Sequence, residues 1–295
     1  MSMLFRFQFR ALLGLIYPIL ELKYFSLNFF SSCYQNDLRV LIYHDVLDED
    51  IEKIKRQINW LQKRWKILSP GEFEKMILGE EKIAGRNLLI TFDDGFYSSL
   101  TIAKEVLEPL KISAIFFIVS DFCKLTGQLN IRKFITDNFF PESISPDIRD
   151  DAKNLSLEDI KYLNEKGHEI GAHTKTHAKL SSIKEFPRLY SEIVQSADEL
   201  EVYLGTKIKS FAYTFGNLES FSQEALTIAK SRFQFIFSGL RGSNLKNNIR
   251  SSIRRDAVSP SDPPWLLGAI LLGIFDFRYL KSLEILDSWV KNCEK

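Results

Sequence analysis

Two short stretches of this chain hold residues whose types and spacing suit chemistry. The first is Thr91-Phe92-Asp93-Asp94-Gly95, which follows the apolar run Leu88-Leu89-Ile90. Such a run reads as a buried strand that delivers two adjacent carboxylates to its C-terminal end. Neighbouring side chains on an extended backbone point to opposite sides, so one Asp could bind a metal while the other faces a reacting water. Two carboxylates this close resist joint ionisation unless a cation or hydrogen-bond donors stabilise them. An Asp-Gly turn closing a strand is the structural alternative, since both residues suit turn backbone.

The second stretch runs from Gly167 to His177 and holds three of the four histidines of the protein. His173 and His177 are four apart, a spacing that places both imidazoles on one face of a helical turn. Two neutral imidazoles and one carboxylate, with a position left open, form the donor set of a catalytic zinc-type site. The stretch differs from the His-Glu-x-x-His metalloprotease helix, because no Glu base lies between the histidines. His168 follows Gly167, a residue suited to ending a helix, and reads as structural at the start of the next strand.

With both stretches in view, the chain resembles the polysaccharide deacetylases, the NodB-like carbohydrate esterases, from about Arg39 to Val258. Thr91 to Gly95 match the first family motif and His173 to His177 the second. The resemblance implies a divalent metal, zinc by expectation, bound by Asp94, His173 and His177, with Asp93 as general base. It also implies a carbohydrate substrate. A third family segment, an Arg followed by Pro, an aromatic and Gly, is matched in part by Phe211-Ala212-Tyr213-Thr214-Phe215-Gly216. Ala212 stands at the Arg position and Thr214 at the Pro position. Tyr213, Phe215 and Gly216 are therefore assigned to substrate binding, the two aromatics as a flat apolar wall and a backbone N–H near Phe215 as an oxyanion donor.

Two departures from the family pattern need replacements. Many members carry a late histidine that protonates the leaving amine, yet this chain has none after His177. The spare histidine is His44, in Val40-Leu41-Ile42-Tyr43-His44-Asp45-Val46. That run reads as a first strand ending in a Tyr-His pair, as in the family branch that includes the poly-N-acetylglucosamine deacetylases. A histidine at the C-terminal end of a barrel strand faces the active-site mouth, so His44 is assigned as general acid, with orientation of substrate or of a metal ligand as its alternative role. The missing motif arginine is assigned to Arg255, in Ile253-Arg254-Arg255-Asp256-Ala257-Val258, where it would hold Asp93 ionised and aimed; the alternative is a solvated or structural arginine.

The elements that must position these groups alternate. Apolar runs at 40–43, 88–92, 114–119, 169–172, 210–213 and 235–237 read as strands, and helical patterns at 50–64, 98–109, 156–166, 183–204 and 220–231 lie between them. Ser156 before Leu157-Glu158-Asp159 is a helix N-cap with acidic residues in the first turn. Alternation of this kind implies an α/β fold with a mainly parallel sheet. The pattern alone allows a doubly wound sheet as well; the resemblance makes it a distorted (β/α)7-type barrel forming a single catalytic domain, residues 36–262. The least regular stretch, 126–153, is expected to add a wall to the substrate cleft.

Both ends are apolar. Residues 1–35 contain the uncharged run Ala11–Leu20, too short to span a bilayer and without a small-x-small cleavage site. Residues 263–295 contain Pro264–Phe275 and then Leu280, Leu283, Leu286 and Val290 at helical spacing. Peripheral membrane contact through both termini is one reading; packing of the ends on each other or on the barrel is the other. The protein is then membrane-associated or cytoplasmic, with sidedness open. Composition constrains little else. The net charge is +1, from 39 basic and 38 acidic residues spread along the chain, so no basic stripe points to nucleic acid. Cys33, Cys123 and Cys293 are too far apart to suggest a disulfide framework or a metal site.

The expected activity is hydrolytic removal of N-acetyl groups from an acetamido sugar of a surface or lipid-linked glycan. A deformylase or O-acetyl esterase would use the same site residues. A glycan-binding relative without catalysis is the alternative from another class.

Overall fold

The computed structural model describes residues 36–141, 148–246 and 249–293. The apolar segment 1–35, with Cys33, lies outside the described residues. Eight strands are present among the described residues: β1 (Asp37–Tyr43), β2 (Lys66–Ile67), β3 (Arg86–Phe92), β4 (Ile115–Ile118), β5 (Glu169–Ala172), β6 (Ser210–Ala212), β7 (Phe235–Phe237) and β8 (Asp256–Ala257). The main path runs β7-β6-β5-β4-β3-β1-β8, with β2 paired to the start of β3. Every pairing between these strands is parallel. A parallel bridge from Phe237 to Ile253 ties the far edge to the residues that enter β8. The result is the α/β fold expected from alternation, curled into a distorted barrel.

The helices are α1 (Ile51–Gln62), α2 (Pro70–Leu78), α3 (Ser98–Ile102), α4 (Gln128–Phe134), α5 (Leu157–Glu165), α6 (Phe186–Tyr190), α7 (Ser196–Leu204), α8 (Gln223–Arg232), α9 (Pro264–Leu271) and α10 (Leu280–Asn292). Single π-helical turns, Ala103–Leu107, Ile135–Phe139 and Ser191–Gln195, extend α3 and α4 and join α6 to α7. Two helices went unread in the sequence. One is α2, although Ser69 and Glu72 form a reciprocal capping box across Pro70, itself a start signal. The other is α4, inside the stretch taken as irregular.

Alternation along the strands sorts the core into two faces. Leu41, Tyr43, Leu88, Ile90, Phe92 and Phe116 belong to the cluster under the helices. Val40, Leu89, Phe117, Ala212, Phe237 and Ile253, from strands all round the sheet, form the interior cluster, to which α2 adds Phe73 and Met76. Gly171 is part of this close packing, since a Cβ there would lie 2.5 Å from the Phe117 ring. The same parity points Thr91, Asp93 and Arg255 inward.

Registration of β8 on β1 depends on an outward-facing arginine. Arg39 is fully buried and binds Asp256 through two hydrogen bonds of 2.9 Å each. It also reaches Asp276 at 2.8 Å and the Ile270 carbonyl at 3.1 Å. Burial disfavours the guanidinium charge, but Asp256 and Asp276 outweigh that and push its pKa up.

Most of the apolar side chains of the C-terminal segment are covered by the barrel. Leu266, Leu267, Ile270, Leu271, Leu283, Leu286 and Val290 are buried in the core under the helices, so its apolar stripe packs on the barrel. Phe277 and Leu280 remain exposed. No described helix is long and apolar enough to cross a membrane.

Candidate metal centre and active-site cleft

A cleft of about 480 Å³ opens at the C-terminal ends of the strands. It is lined by His44, Asp93, Asp94, His173, His177, Tyr213, Phe215, Gly216 and Arg255, so every site residue read from the sequence borders it. Ile135, Phe139, Phe140, Ile148 and Arg149 come from the stretch 126–153, which does supply a wall.

Asp93 and Asp94 leave the end of β3 in different directions because Asp94 turns to φ 78°. Side-chain oxygen and nitrogen atoms of Asp94, His173 and His177 lie within 4.8 Å of one another. Nε2 of His173 and Nε2 of His177 each stand 3.4 Å from Asp94 Oδ1. The other ring nitrogens are committed: His173 Nδ1–H donates to the Ala212 carbonyl at 2.8 Å, and His177 Nδ1–H donates to the Asn138 carbonyl at 3.0 Å. A carbonyl oxygen only accepts, so in the neutral rings Nε2 carries a lone pair toward the centre. Asp94 Oδ1 is buried without a hydrogen-bond partner. Three lone-pair atoms facing one another across a buried space fit a divalent cation, and the backbone carbonyls behind both rings are the outer support such ligands use.

The helical turn expected for His173 and His177 is absent. Residues 173–177 form a loop beyond β5, and Thr174 and His177 adopt φ 62° and 59°. Spacing of four brings the rings together here through two left-handed residues, not through helical periodicity. The histidine that reads as structural, His168, is buried, and its Nδ1 accepts the Ala114 N–H at 3.1 Å.

Arg255 lies against Asp93 in a two-pronged contact. Nη1 donates to Oδ1 at 2.7 Å and Nη2 to Oδ2 at 2.9 Å. Its Nε donates to the Ser238 carbonyl at 2.9 Å, and its guanidinium carbon lies 5.1 Å from the centre of the Phe117 ring. A fork held at its stem fixes the carboxylate plane. Asp93 Oδ2 is 3.9 Å from His173 Nε2, so the arginine-bound carboxylate adjoins the three-residue centre.

His44 is exposed at the cleft mouth. The turn after it is anchored by Asp45, which accepts from Ser98 Oγ at 2.7 Å and from Arg149 Nη2 at 3.0 and 3.2 Å. Sequence reasoning missed Arg149 and Asn138, since neither belongs to a motif. Tyr213 borders the cleft, but its ring points away from it. By parity with Phe211 its side chain turns to the helix side, where it is 1% exposed and stacks on Phe221 with ring centres 3.9 Å apart. Phe215, at φ 59° and 42% exposed, is the member of the pair with a free face. Gly216 packs against Gly239 so closely that a Cβ on it would lie 2.7 Å from the Gly239 Cα.

The polysaccharide deacetylase family model matches residues 81–232, just over half of the 295. The chain belongs to the polysaccharide deacetylase family. Its converging Asp-His-His set makes it a metal-dependent deacetylase of that family. No curated protein matches its sequence. Among solved structures, IcaB from Ammonifex degensii is 21% identical, with a TM-score of 0.63 over 80% of this chain and 97% of that one. The deacetylase PplD of Streptococcus pyogenes, in complex with acetate, is 18% identical, with a TM-score of 0.60 over 80% of this chain and 99% of that one. A de-N-acetylase from Aggregatibacter actinomycetemcomitans is 14% identical, with a TM-score of 0.62 over 80% of this chain and 100% of that one. These likenesses establish a shared fold.

Proposed function

We propose that this protein hydrolyses the acetamide of an N-acetylated sugar within a surface or lipid-linked glycan, in the family branch that carries a Tyr-His pair on the first strand. The observation that carries this reading is the placement of the Asp94-His173-His177 set beside an arginine-held second carboxylate, at the floor of one cleft. Asp94, His173 and His177 would hold the ion, with zinc expected for two imidazoles and one carboxylate. When bound, the ion supplies Lewis acidity and makes water more acidic.

The side chains supply the rest. Asp93 accepts the proton of the attacking water, while Arg255 keeps its carboxylate in one orientation. The Phe215 backbone N–H donates to the oxygen on which charge develops, and the exposed Phe215 ring gives the sugar a flat face. His44 delivers the proton that the departing amine requires as the C–N bond breaks. Membrane contact through residues 1–35 and the exposed Phe277 and Leu280 would bring a lipid-linked substrate to the cleft. The catalytic unit in this reading is residues 36–262, flanked by the apolar segments 1–35 and 263–295.

Release of acetate from matched N-acetyl and O-acetyl oligosaccharides, and of formate from the N-formyl one, by the purified protein tests the reaction. The N-acetyl substrate is expected to have the highest kcat/KM. Preference for the formyl or the ester substrate would reassign the acyl group, and no hydrolysis of any by the metal-loaded protein would reduce it to a glycan binder.

His44→Ala separates the acid role from a positioning role. An amine leaving group needs a proton, whereas an activated aryl ester leaves as a stable phenolate. The variant should therefore lose about 10²–10⁴-fold on the amide, the usual contribution of a positioned acid, and far less on an aryl acetate. The alkaline limb of the amide pH–rate profile should flatten with it. Equal loss on both substrates, with the limb intact, would leave His44 a positioning residue.

A further inference from the structure

The loop that joins His173 to His177 is gripped by a side chain outside every motif. Glu192 lies in the π-helical turn Ser191–Gln195 and is 5% exposed. Its Oε2 accepts the backbone N–H of Lys175 at 3.0 Å and of Thr176 at 2.9 Å. Its Oε1 accepts the Thr176 hydroxyl at 2.7 Å. One buried carboxylate thus binds two successive peptide planes and a side chain midway between the two histidines. Hydrogen bonds to a charged acceptor are roughly twice as strong as neutral ones.

The loop needs such an anchor. Thr174 and His177, on either side of the gripped residues, both sit in the left-handed region, which costs energy for side chains with a Cβ. Exit from the loop is pinned as well, by Thr214 Oγ1 donating to the Ala178 carbonyl at 2.6 Å. Glu192 is mounted on a continuous helical run, α6 through α7, and Glu199 further along it takes the Lys175 ammonium at 2.6 Å. A π turn shifts side chains relative to the regular helical register and recurs at functional sites. This one lies where Glu192 meets the loop.

We propose that Glu192 is a positioning residue that sets the separation of His173 and His177, and through it the metal affinity of the centre. The inference rests on the reading of His173 and His177 as metal ligands. Its subject is the outer support of the site, which in metalloproteins typically changes affinity about 10–100-fold when removed.

Competition of the metal-free full chain with a chromophoric chelator for zinc measures the effect. Glu192→Gln keeps the size of the side chain but removes the charge that strengthens all three bonds; with its oxygen on the two backbone donors, its NH2 group faces the Thr176 hydroxyl. Its zinc Kd is expected to rise about 10–100-fold, with turnover recovering toward wild type as zinc is raised to saturation. An unchanged Kd overturns the proposal, even if the melting temperature of the metal-free variant falls, because that combination describes a purely structural glutamate. If Glu192→Gln does not fold, Thr176→Val removes a single one of the three bonds. A weakened Kd in that variant supports the proposal and an unchanged one overturns it. Failure of the wild-type protein to bind zinc or any other divalent ion is a separate result, which removes the ligand reading and the positioning role with it.

Discussion

Asp94→Asn, His173→Ala and His177→Ala are each expected to abolish bound metal and hydrolysis together while the barrel stays folded. Each substitution removes one of three protein donors from a site whose remaining positions serve water and substrate. Two donors of this kind hold zinc far more weakly than three, so loss at micromolar ion should be complete. Stability should respond differently. The three side chains lie beyond the strand ends, outside the hydrophobic clusters, and in the metal-free protein their lone pairs face one another. Removing one relieves that repulsion, and the metal-free melting temperature should hold or rise. Metal stoichiometry by mass spectrometry and melting by circular dichroism check both halves. Full metal content in His173→Ala and His177→Ala would show the ligand assignment to be wrong.

Asp93→Asn should behave in the opposite way, keeping the metal and losing about two to four orders of magnitude in turnover. An amide cannot take up the proton of an attacking water at neutral pH. The substitution also has a structural cost, since Arg255 is fully buried and would face a neutral partner. Breaking a buried pair by altering one member costs on the order of 3–5 kcal/mol, although the Asn carbonyl still accepts one of the two bonds. Turnover should therefore be measured well below the melting point and normalised to metal-loaded protein. Near-normal turnover would limit Asp93 to supporting the turn. Loss of metal would mean that the two aspartates have exchanged roles.

Much of this site was legible because its chemistry sits at strand ends. Apolar runs before Asp93 and before His173 announced β3 and β5, and parity then fixed which neighbours point inward. Arg255 was read as the stand-in for a motif arginine that the family resemblance leaves missing, and its guanidinium does lie on Asp93. The direction of Tyr213 could not be read, since three residues of β6 are too few to show which of Ala212 and Tyr213 faces the interior. The loop at 173–177 was misread for a related reason. A spacing of four is shared by helices and by loops with left-handed residues, and neither Thr nor His advertises a positive φ as Gly would. Glu192 and the Asn138 carbonyl support the loop from 16 and 17 residues further along the chain and 39 residues back. Contacts of that range leave no local pattern.

The left-handed residues carry an evolutionary consequence. Five described non-glycine residues have positive φ, and four of them, Asp94, Thr174, His177 and Phe215, lie in the cleft or its loop. Each conformation costs roughly 1 kcal/mol or more relative to a glycine in its place. A lineage released from catalysis would gain stability by drifting to Gly or Asn at these positions, because most sequences hover near a stability threshold. In this chain Asp94 and His177 occupy them still, at a standing cost that only a use for their side chains would keep in place.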